Sequence, residues 1–356
     1  MSVNRVAHIN LSRGYRGGER QTEILIRSQV KELGVKTVVA VVRTKGTLAA
    51  RLKGISGLTV IQVNSFAHGH FAVGGNLICH AHDAKAVYWA YLHRLIYGSE
   101  FVITRRVQDP LSLSSFNRLA YHSASRICAI SHAIQDYLAS AGLPCNDMIP
   151  SVLDSDVNSE PTVLARKLAR SNDVTLSVCG ALVDSHKGQS VAIYAMRHLP
   201  TTYRLNIVGD GKDLDVLVSL VDSLNLQDRV FFFPWPESLD DVLQQTDLGL
   251  VPSFHEGLGS IILDYFVRGI PVVASNVGGI PDLVESGVNG ALFKAGCELQ
   301  LAQSVHSIAA RPRERERLSY AALEKAQKYT PKLMWDSYQA IYLKLGFFNS
   351  VAGESR

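Results

Sequence analysis

No apolar run in these 356 residues approaches the ~20 that a membrane-spanning helix needs. The apolar stretch near the N-terminus, Val6 to Leu11 between Arg5 and Arg13, is too short for the core of a secretory signal. The chain is therefore expected to be cytoplasmic, at most resting on the inner face of the cytoplasmic membrane. Low-complexity tracts are missing and Pro and Gly are ordinary at 12 and 27, which excludes disordered and fibrous classes. The five cysteines, Cys79, Cys128, Cys145, Cys179 and Cys297, are odd in number and share no metal-like spacing. Idle thiols in a reducing compartment account for them.

What is present is enough apolar material, 47% of the residues, for two cores rather than one. The net charge of +4 is unevenly spread: residues 1–156 hold 17 Lys and Arg against 10 Asp and Glu, and the rest hold 19 against 22. A basic first half suits an anionic counterpart such as a phosphorylated acceptor or a lipid headgroup layer, although random scatter of this size is common. Arg16, Arg20 and Arg27 recur at spacings that place them on one side of a helix, either as a face for anionic lipid or paired with Glu19 and Glu23. No nucleic-acid partner is expected.

Strand and helix alternate twice along the chain. Val6–Leu11, Thr37–Val42, Leu58–Val63, Asn76–His80, Glu100–Thr104 and Ser125–Ile130 read as strands, with helical spacing over Glu19–Leu33. Around Asp154–Ala165 Ser, Asp, Asn and Pro crowd together, which marks a hinge. Val174–Gly180, Tyr203–Val208, Val230–Phe233, Leu248–Pro252 and Pro271–Ala274 then restart the rhythm. The reading is α/β, with two doubly wound, Rossmann-like domains facing across a cleft. Ligands in such sheets bind beyond the carboxyl ends of the strands.

Four constellations sit at such ends. The first, Arg13-Gly14-Tyr15-Arg16-Gly17-Gly18-Glu19, offers glycines for close approach and helix amides for phosphate. Its spacing is not the dinucleotide fingerprint, and the second strand ends in Val42-Arg43 without the acid that a ribose would want. The second, His80-Ala81-His82-Asp83, puts two imidazoles on one face of a strand. They suit a metal pair, hydroxyl binding or acid–base work, but no third ligand follows at recognisable spacing. In the third, Gly180 to Gly188, Lys187 beside glycine is placed to neutralise a diphosphate leaving group. The fourth, Ser253-Phe254-His255-Glu256-Gly257-Leu258-Gly259-Ser260-Ile261-Ile262-Leu263-Asp264, is the most specific. Ser260 is expected to cap a helix running to Val267. Glu256 then lies at the strand tip and Asp264 one turn inside the helix, with the amides of Gly257 to Gly259 between them.

With these residues in view, Cys179 to Phe293 resembles the donor domain of the family-4 retaining glycosyltransferases, which have the two-Rossmann (GT-B) fold. The motifs that carry the resemblance are Leu205-Asn206-Ile207-Val208-Gly209-Asp210-Gly211, Pro252-Ser253-x-x-Glu256-Gly257, Gly269-x-Pro271-Val272-Val273-Ala274-Ser275 and Val277-Gly278-Gly279-Ile280-Pro281. In the first half Gly17-Gly18-Glu19, His80-Ala81-His82-Asp83 and Ala129-Ile130-Ser131 add to it, and the likeness runs over residues 5–345.

The resemblance implies a retaining transferase that moves a hexose or related sugar from a nucleotide-sugar donor to a glycan or glycolipid acceptor, of the kind used in lipopolysaccharide core synthesis. No cofactor or metal is implied, and no Asp-x-Asp pair stands in a metal-binding setting. Carried over residue by residue, Glu256 touches the donor sugar, Asp264 the ribose, Lys187 the diphosphate, Gly17 and Gly18 the phosphates, and His82 the donor sugar. Gly209, Gly257, Leu258, Gly259 and Ser260 complete the donor set, and Arg16, Asp83, Arg105 and Arg106 are candidates for the acceptor. Three positions depart from the pattern: Asp264 replaces glutamate, Ala181 a basic residue, and Asp282 a glutamate. The implied domains are 1–156 for the acceptor and 157–330 for the donor, with 331–356 crossing back to the first. Rival readings are an epimerase or phosphorylase of the same fold, a nicotinamide-dependent oxidoreductase using Arg43, and a non-catalytic nucleotide-sugar-binding protein.

Overall fold

The computed structural model describes residues 4–33, 37–108, 115–154 and 173–347. The chain divides into two compact units, Met1–Ser155 with Thr330–Arg356, and Asp156–Tyr329. The expected hinge lies outside the described residues apart from Asp154, as do the expected boundary at 156 and 157 and everything beyond Phe347.

In the first unit β1 (Val6–Asn10), β2 (Val38–Arg43), β3 (Thr59–Val63), β4 (Ile78–Ala81), β5 (Phe101–Arg105), β6 (Arg126–Ala129) and β7 (Asp147–Met148) form one parallel sheet ordered β3-β2-β1-β4-β5-β6-β7. Val38 to Val42 are buried on both faces, because helices cover both sides of a parallel sheet. β-branched side chains fit that pleated, closed environment, and each contributes about 1.5–3 kcal/mol of burial.

The second unit repeats the plan. Its strands are β8 (Val174–Cys179), β9 (Tyr203–Val208), β10 (Val230–Phe233), β11 (Leu248–Val251), β12 (Val272–Ser275) and β13 (Gly290–Phe293), ordered β10-β9-β8-β11-β12-β13. Its core packs Leu176, Leu205, Ile207, Leu248 and Val273 together. β7 and β13 escape sequence reading because one is two residues long and the other opens on glycine.

The strand order of each sheet reverses once, between β1 and β4 in the first and between β8 and β11 in the second. The loops leaving those four strands carry the four constellations. That is where a doubly wound sheet opens a crevice for ligand.

Two helices bear directly on the site. The first, Gly17–Leu33, starts at the glycine pair rather than at Glu19. Glu19 Oε2 accepts from the Arg16 backbone N–H at 2.9 Å, fixing the approach to its first turn. The last, Pro331–Lys344, opens where the Thr330 hydroxyl accepts from the Leu333 N–H and buries Trp335, Tyr338 and Tyr342. It belongs to the first unit, where the Tyr342 hydroxyl lies 2.7 Å from His80 Nδ1 and the Tyr338 hydroxyl 2.8 Å from Thr104 Oγ1. Among the described residues no helix is long and apolar enough to cross a membrane.

Candidate functional site

In the second unit the loops after β8 and β11 lock together. The amides of Phe254 and His255 both donate to the His186 carbonyl, at 2.9 and 3.3 Å. Gly188 stands at φ +65°, where a Cβ would fall 2.2 Å from the Pro252 carbonyl oxygen, so only glycine lets the loops approach this closely. The contact brings Lys187 Nζ to both oxygens of Glu256, at 2.8 and 2.9 Å. The Glu256 side chain is 13% exposed and that of Lys187 31%, and both line a small pocket with Cys179, Gln189, Ser253 and Ile261.

The helix that follows, Ile261–Phe266, is seated by Tyr265. Its ring lies over Gly249 of β11, where a Cβ would meet it at 2.7 Å, and its hydroxyl donates to the Ser177 carbonyl at 2.9 Å. Asp264 is thereby held in the interior, 5% exposed. Ser260 does not cap this helix as expected. Its own backbone is already helical and its side chain makes no capping bond, because the turn at Gly259 supplies the backbone partners instead. Leu258 is buried, so it offers a ligand only its backbone; Gly257 lies beside it in the same loop. Gly209 has a packing reason of its own: at φ +149° a Cβ there would fall 1.9 Å from the Gly180 oxygen.

In the first unit the loops after β1 and β4 meet. Asp83, expected at the acceptor, uses its carboxylate on backbone amides: Oδ1 accepts from Lys85 and Ala86 at 2.8 and 3.1 Å, and Oδ2 from Leu11. It caps the helix Ala84–Tyr97 and ties the two loops together. Burial raises its pKa, opposed by those amides. Arg105 turns into the unit, 7% exposed, with Nη1 3.4 Å from the Tyr121 hydroxyl. Arg106 lies against the glycine pair, its Cδ 3.6 Å from where a Cβ of Gly18 would stand. Its Nε and Nη2 are buried with no hydrogen-bond partner among the described residues. Burial lowers its pKa, while Tyr338 and Glu19 act the other way. Arg16 is exposed. The arginines within the helix Gly17–Leu33 are paired: Arg27 with Glu23 at 2.8 Å, and Arg20 with Asp154 at 3.6 Å.

The histidine pair gains a third member that sequence reasoning missed. β1 and β4 run in register with His8 opposite His80, and ligand atoms of His8, His80 and His82 lie within 4.8 Å of one another. The nitrogens are already engaged with neighbours. His80 Nε2 meets Thr104 Oγ1 at 2.7 Å and its Nδ1 meets Tyr342, while His8 Nε2 meets Gln29 Oε1 at 2.6 Å and its Nδ1 meets His82 Nε2 at 3.0 Å. Only His82 Nδ1 is left, buried and without a partner among the described residues. The donor set fits a hydrogen-bonded network better than an ion cage, since a ligating nitrogen needs its lone pair free for the metal. Burial lowers the pKa of all three histidines, that of His8 to about 4, so each is neutral near pH 7. The signal for His8 was a lone imidazole inside the otherwise apolar run Val6–Ile9.

Residues 163–325 match the family described as Glycosyl transferases group 1. The second unit carries a group 1 glycosyl transferase domain. Among curated relatives, the N-acetyl-alpha-D-glucosaminyl L-malate synthase of Bacillus anthracis is 25% identical over 64% of this chain and 61% of its own length. The lipopolysaccharide core biosynthesis glycosyltransferase LpsD of Rhizobium meliloti is 29% identical over 44% of this chain and 46% of its own. The chain thus spans about half to three-fifths of these relatives. The crystal structure of Anabaena HepE in complex with UDP-glucose superposes with a TM-score of 0.82, at 20% identity, covering 96% of this chain and 99% of that one. That likeness shows the fold: two Rossmann-like sheets of the GT-B class. Within the group 1 domain, Lys187 and Glu256 hold the strand-end positions described above.

Proposed function

We propose that the protein is a glycosyltransferase of the retaining, metal-independent kind, taking a sugar from a nucleotide-sugar donor and passing it to a glycan or glycolipid acceptor. The observation that carries this reading is the Lys187–Glu256 pair at the sheet reversal of the group 1 domain. Leaving-group departure puts negative charge on a diphosphate, and a preorganised ammonium stabilises that charge best when partly shielded from water, as Lys187 is. Glu256 neutralises the ammonium until a donor arrives. Its carboxylate then turns to the sugar hydroxyls, which fixes the sugar's orientation as the bond loosens. Asp264 is assigned to the ribose, Gly17, Gly18 and the loop Gly257, Leu258, Gly259 and Ser260 to the phosphates, and Gly209 to the strand-end turn beneath them. His82 is assigned to the donor sugar. Retention requires the acceptor hydroxyl to attack from the face the diphosphate leaves, and no metal is needed where Lys187 supplies the charge.

The printed name of one relative, LpsD, supports a surface-glycan setting, with lipopolysaccharide core synthesis as the reading that also suits the basic first unit. Arg16, Arg105 and Arg106 are assigned to an anionic acceptor. A cytoplasmic location touching an anionic membrane surface belongs to the same proposal, supported by that surplus of positive charge. The test is direct. With UDP-, GDP- and ADP-sugars offered in turn, one should bind, and free nucleoside diphosphate should accumulate only when acceptor is added. Binding without acceptor-dependent release would make the chain a nucleotide-sugar-binding protein instead.

A further inference from the structure

The unpartnered nitrogen of His82 has a history that can be followed atom by atom. Gln29, on the first helix, presents its carbonyl oxygen to His8 Nε2 at 2.6 Å. A carbonyl oxygen only accepts, so His8 Nε2 must carry the proton. His8 is fully buried and its pKa is lowered to about 4, which keeps it neutral with a single ring proton. Its Nδ1 is therefore a lone pair. That lone pair faces His82 Nε2 at 3.0 Å, with the two rings inclined by only 22°, the near-coplanar geometry an in-plane bond requires. His82 Nε2 must then be the donor. Burial, with the Arg106 guanidinium nearby, keeps His82 neutral as well. Its one proton is thus used on His8, and Nδ1 is bare.

We propose that Gln29 and His8 are positioning residues that fix the tautomer of His82, leaving Nδ1 as a hydrogen-bond acceptor for a hydroxyl of the bound sugar. Nothing among the described residues satisfies that acceptor, although the residue is only 4% exposed. A buried acceptor without a partner is costly, and a ligand that donates to it removes the cost. The tautomer also sets selectivity. A bare lone pair welcomes a neutral hydroxyl and repels a carboxylate or phosphate oxygen, so the sugar group seated there is an alcohol and not an acid. The second branch of the network is separate: His80 faces Thr104 and Tyr342, whose hydroxyls serve as donor or acceptor and impose no direction. The direction comes from the Gln29 amide alone. Turned end for end, that amide would reverse every proton down to His82, making Nδ1 a donor.

The inference rests on the glycosyltransferase reading only for the identity of the ligand; the proton positions are a property of the free protein. The experiment uses the full chain labelled with ¹⁵N in histidine and long-range ¹⁵N–¹H correlation, with His82 assigned by the loss of its signals in His82→Gln. The expected result is a protonated, pyrrole-type Nε2 and an unprotonated, pyridine-type Nδ1 for His82 without any ligand. In Gln29→Met, which keeps the bulk and removes the accepting oxygen, the His82 signals should average toward a mixture of both tautomers. A proton on Nδ1 in the wild type overturns the inference, and so does an unchanged His82 tautomer in Gln29→Met. If Gln29→Met does not fold, the wild-type spectrum decides alone. Failure here leaves the nucleotide-sugar reading untouched, and failure to bind any nucleotide sugar leaves the tautomer assignment standing.

Discussion

Replacing Glu256 by alanine separates donor binding from transfer. In the free protein Lys187 Nζ is held by both carboxylate oxygens at 2.8 and 2.9 Å, so a diphosphate must displace that carboxylate to reach the ammonium. Hydrogen bonds to charged groups contribute about 1.5–3 kcal/mol. The lower end applies because Lys187 retains 31% exposure and solvent screens the pair. Removing Glu256 therefore removes an opposing contribution of about 1.5 kcal/mol, and nucleoside diphosphate should bind about tenfold more tightly. Transfer should move the other way. A carboxylate that orients the sugar as the bond loosens acts in the transition state, and its loss should lower turnover by at least about a hundredfold. Calorimetric titration with the nucleoside diphosphate reads the first effect and acceptor-dependent diphosphate release the second. Glu256→Gln should reproduce the tighter binding while keeping more of the turnover, since the amide still meets hydroxyls. Full turnover in Glu256→Ala, or equal losses of binding and turnover, would refute the assignment.

Three further outcomes follow from the geometry. His8 has its pKa lowered from 6.5 to about 4 by burial, with His80 and His82 shifted the same way, so unfolded chains bind more protons than folded ones in that window. Stability is fully present above about pH 6.5 and is lost as pH falls towards 4, by about 1.4 kcal/mol per pH unit for each histidine; urea midpoints that stay flat from pH 7 to 5.5 would contradict this. Gly209→Ala should destabilise the second unit by more than about 3 kcal/mol, because its Cβ would sit 1.9 Å from the Gly180 oxygen at φ +149°; an unchanged thermal midpoint would show that the turn can open freely. The protein should co-sediment with anionic vesicles at low salt and be released at high salt, and equal pelleting with neutral vesicles would assign the surplus charge to the acceptor alone.

How far the sequence could be read depended on whether a feature was local. Val38 to Val42 announce themselves because burial on both faces selects β-branched and large apolar residues in an unbroken run, whereas Tyr203 to Val208 is read from its buried Tyr203, Leu205, Ile207 and Val208 around the exposed Arg204. The loop from Ser253 to Gly259 was legible for the same reason: glycine, carboxylate and strand end are consecutive, so their chemistry needs no fold to be seen. The Lys187–Glu256 contact spans 69 positions, and what the sequence showed was two separate strand-end residues rather than an ion pair. His8, Gln29 and His82 were harder still. Their bonds join residues 21 and 74 positions apart, and only the parallel register of β1 and β4 places His8 beside the His80-Ala81-His82 strand end. Asp83 has a structural duty that the sequence did not announce. An acid directly after two histidines looked like chemistry, yet a strand-to-helix turn needs an N-cap, and its carboxylate answers three backbone amides.

The arginines of the first helix make the same point about charge. Spacing places Arg16, Arg20 and Arg27 on one side of the helix, but it does not show what the neighbouring helix Thr47–Leu52 brings to that side. Glu23 is one turn from Arg27 and also receives Arg51, at 2.6 Å, from a segment 28 residues later. Tyr15 donates to the same carboxylate at 2.8 Å, and these bonds hold the Glu23 pKa down against the effect of its burial. One nearly buried acid thus gathers two guanidinium groups, and Arg20 finds Asp154 near the end of the unit. A charge counted along the chain is a net quantity, whereas a binding face requires charge left over after folding. Arg16, just before this helix, is exposed while Arg27 is paired, so an anionic surface would meet the edge by the glycine pair rather than the helix side.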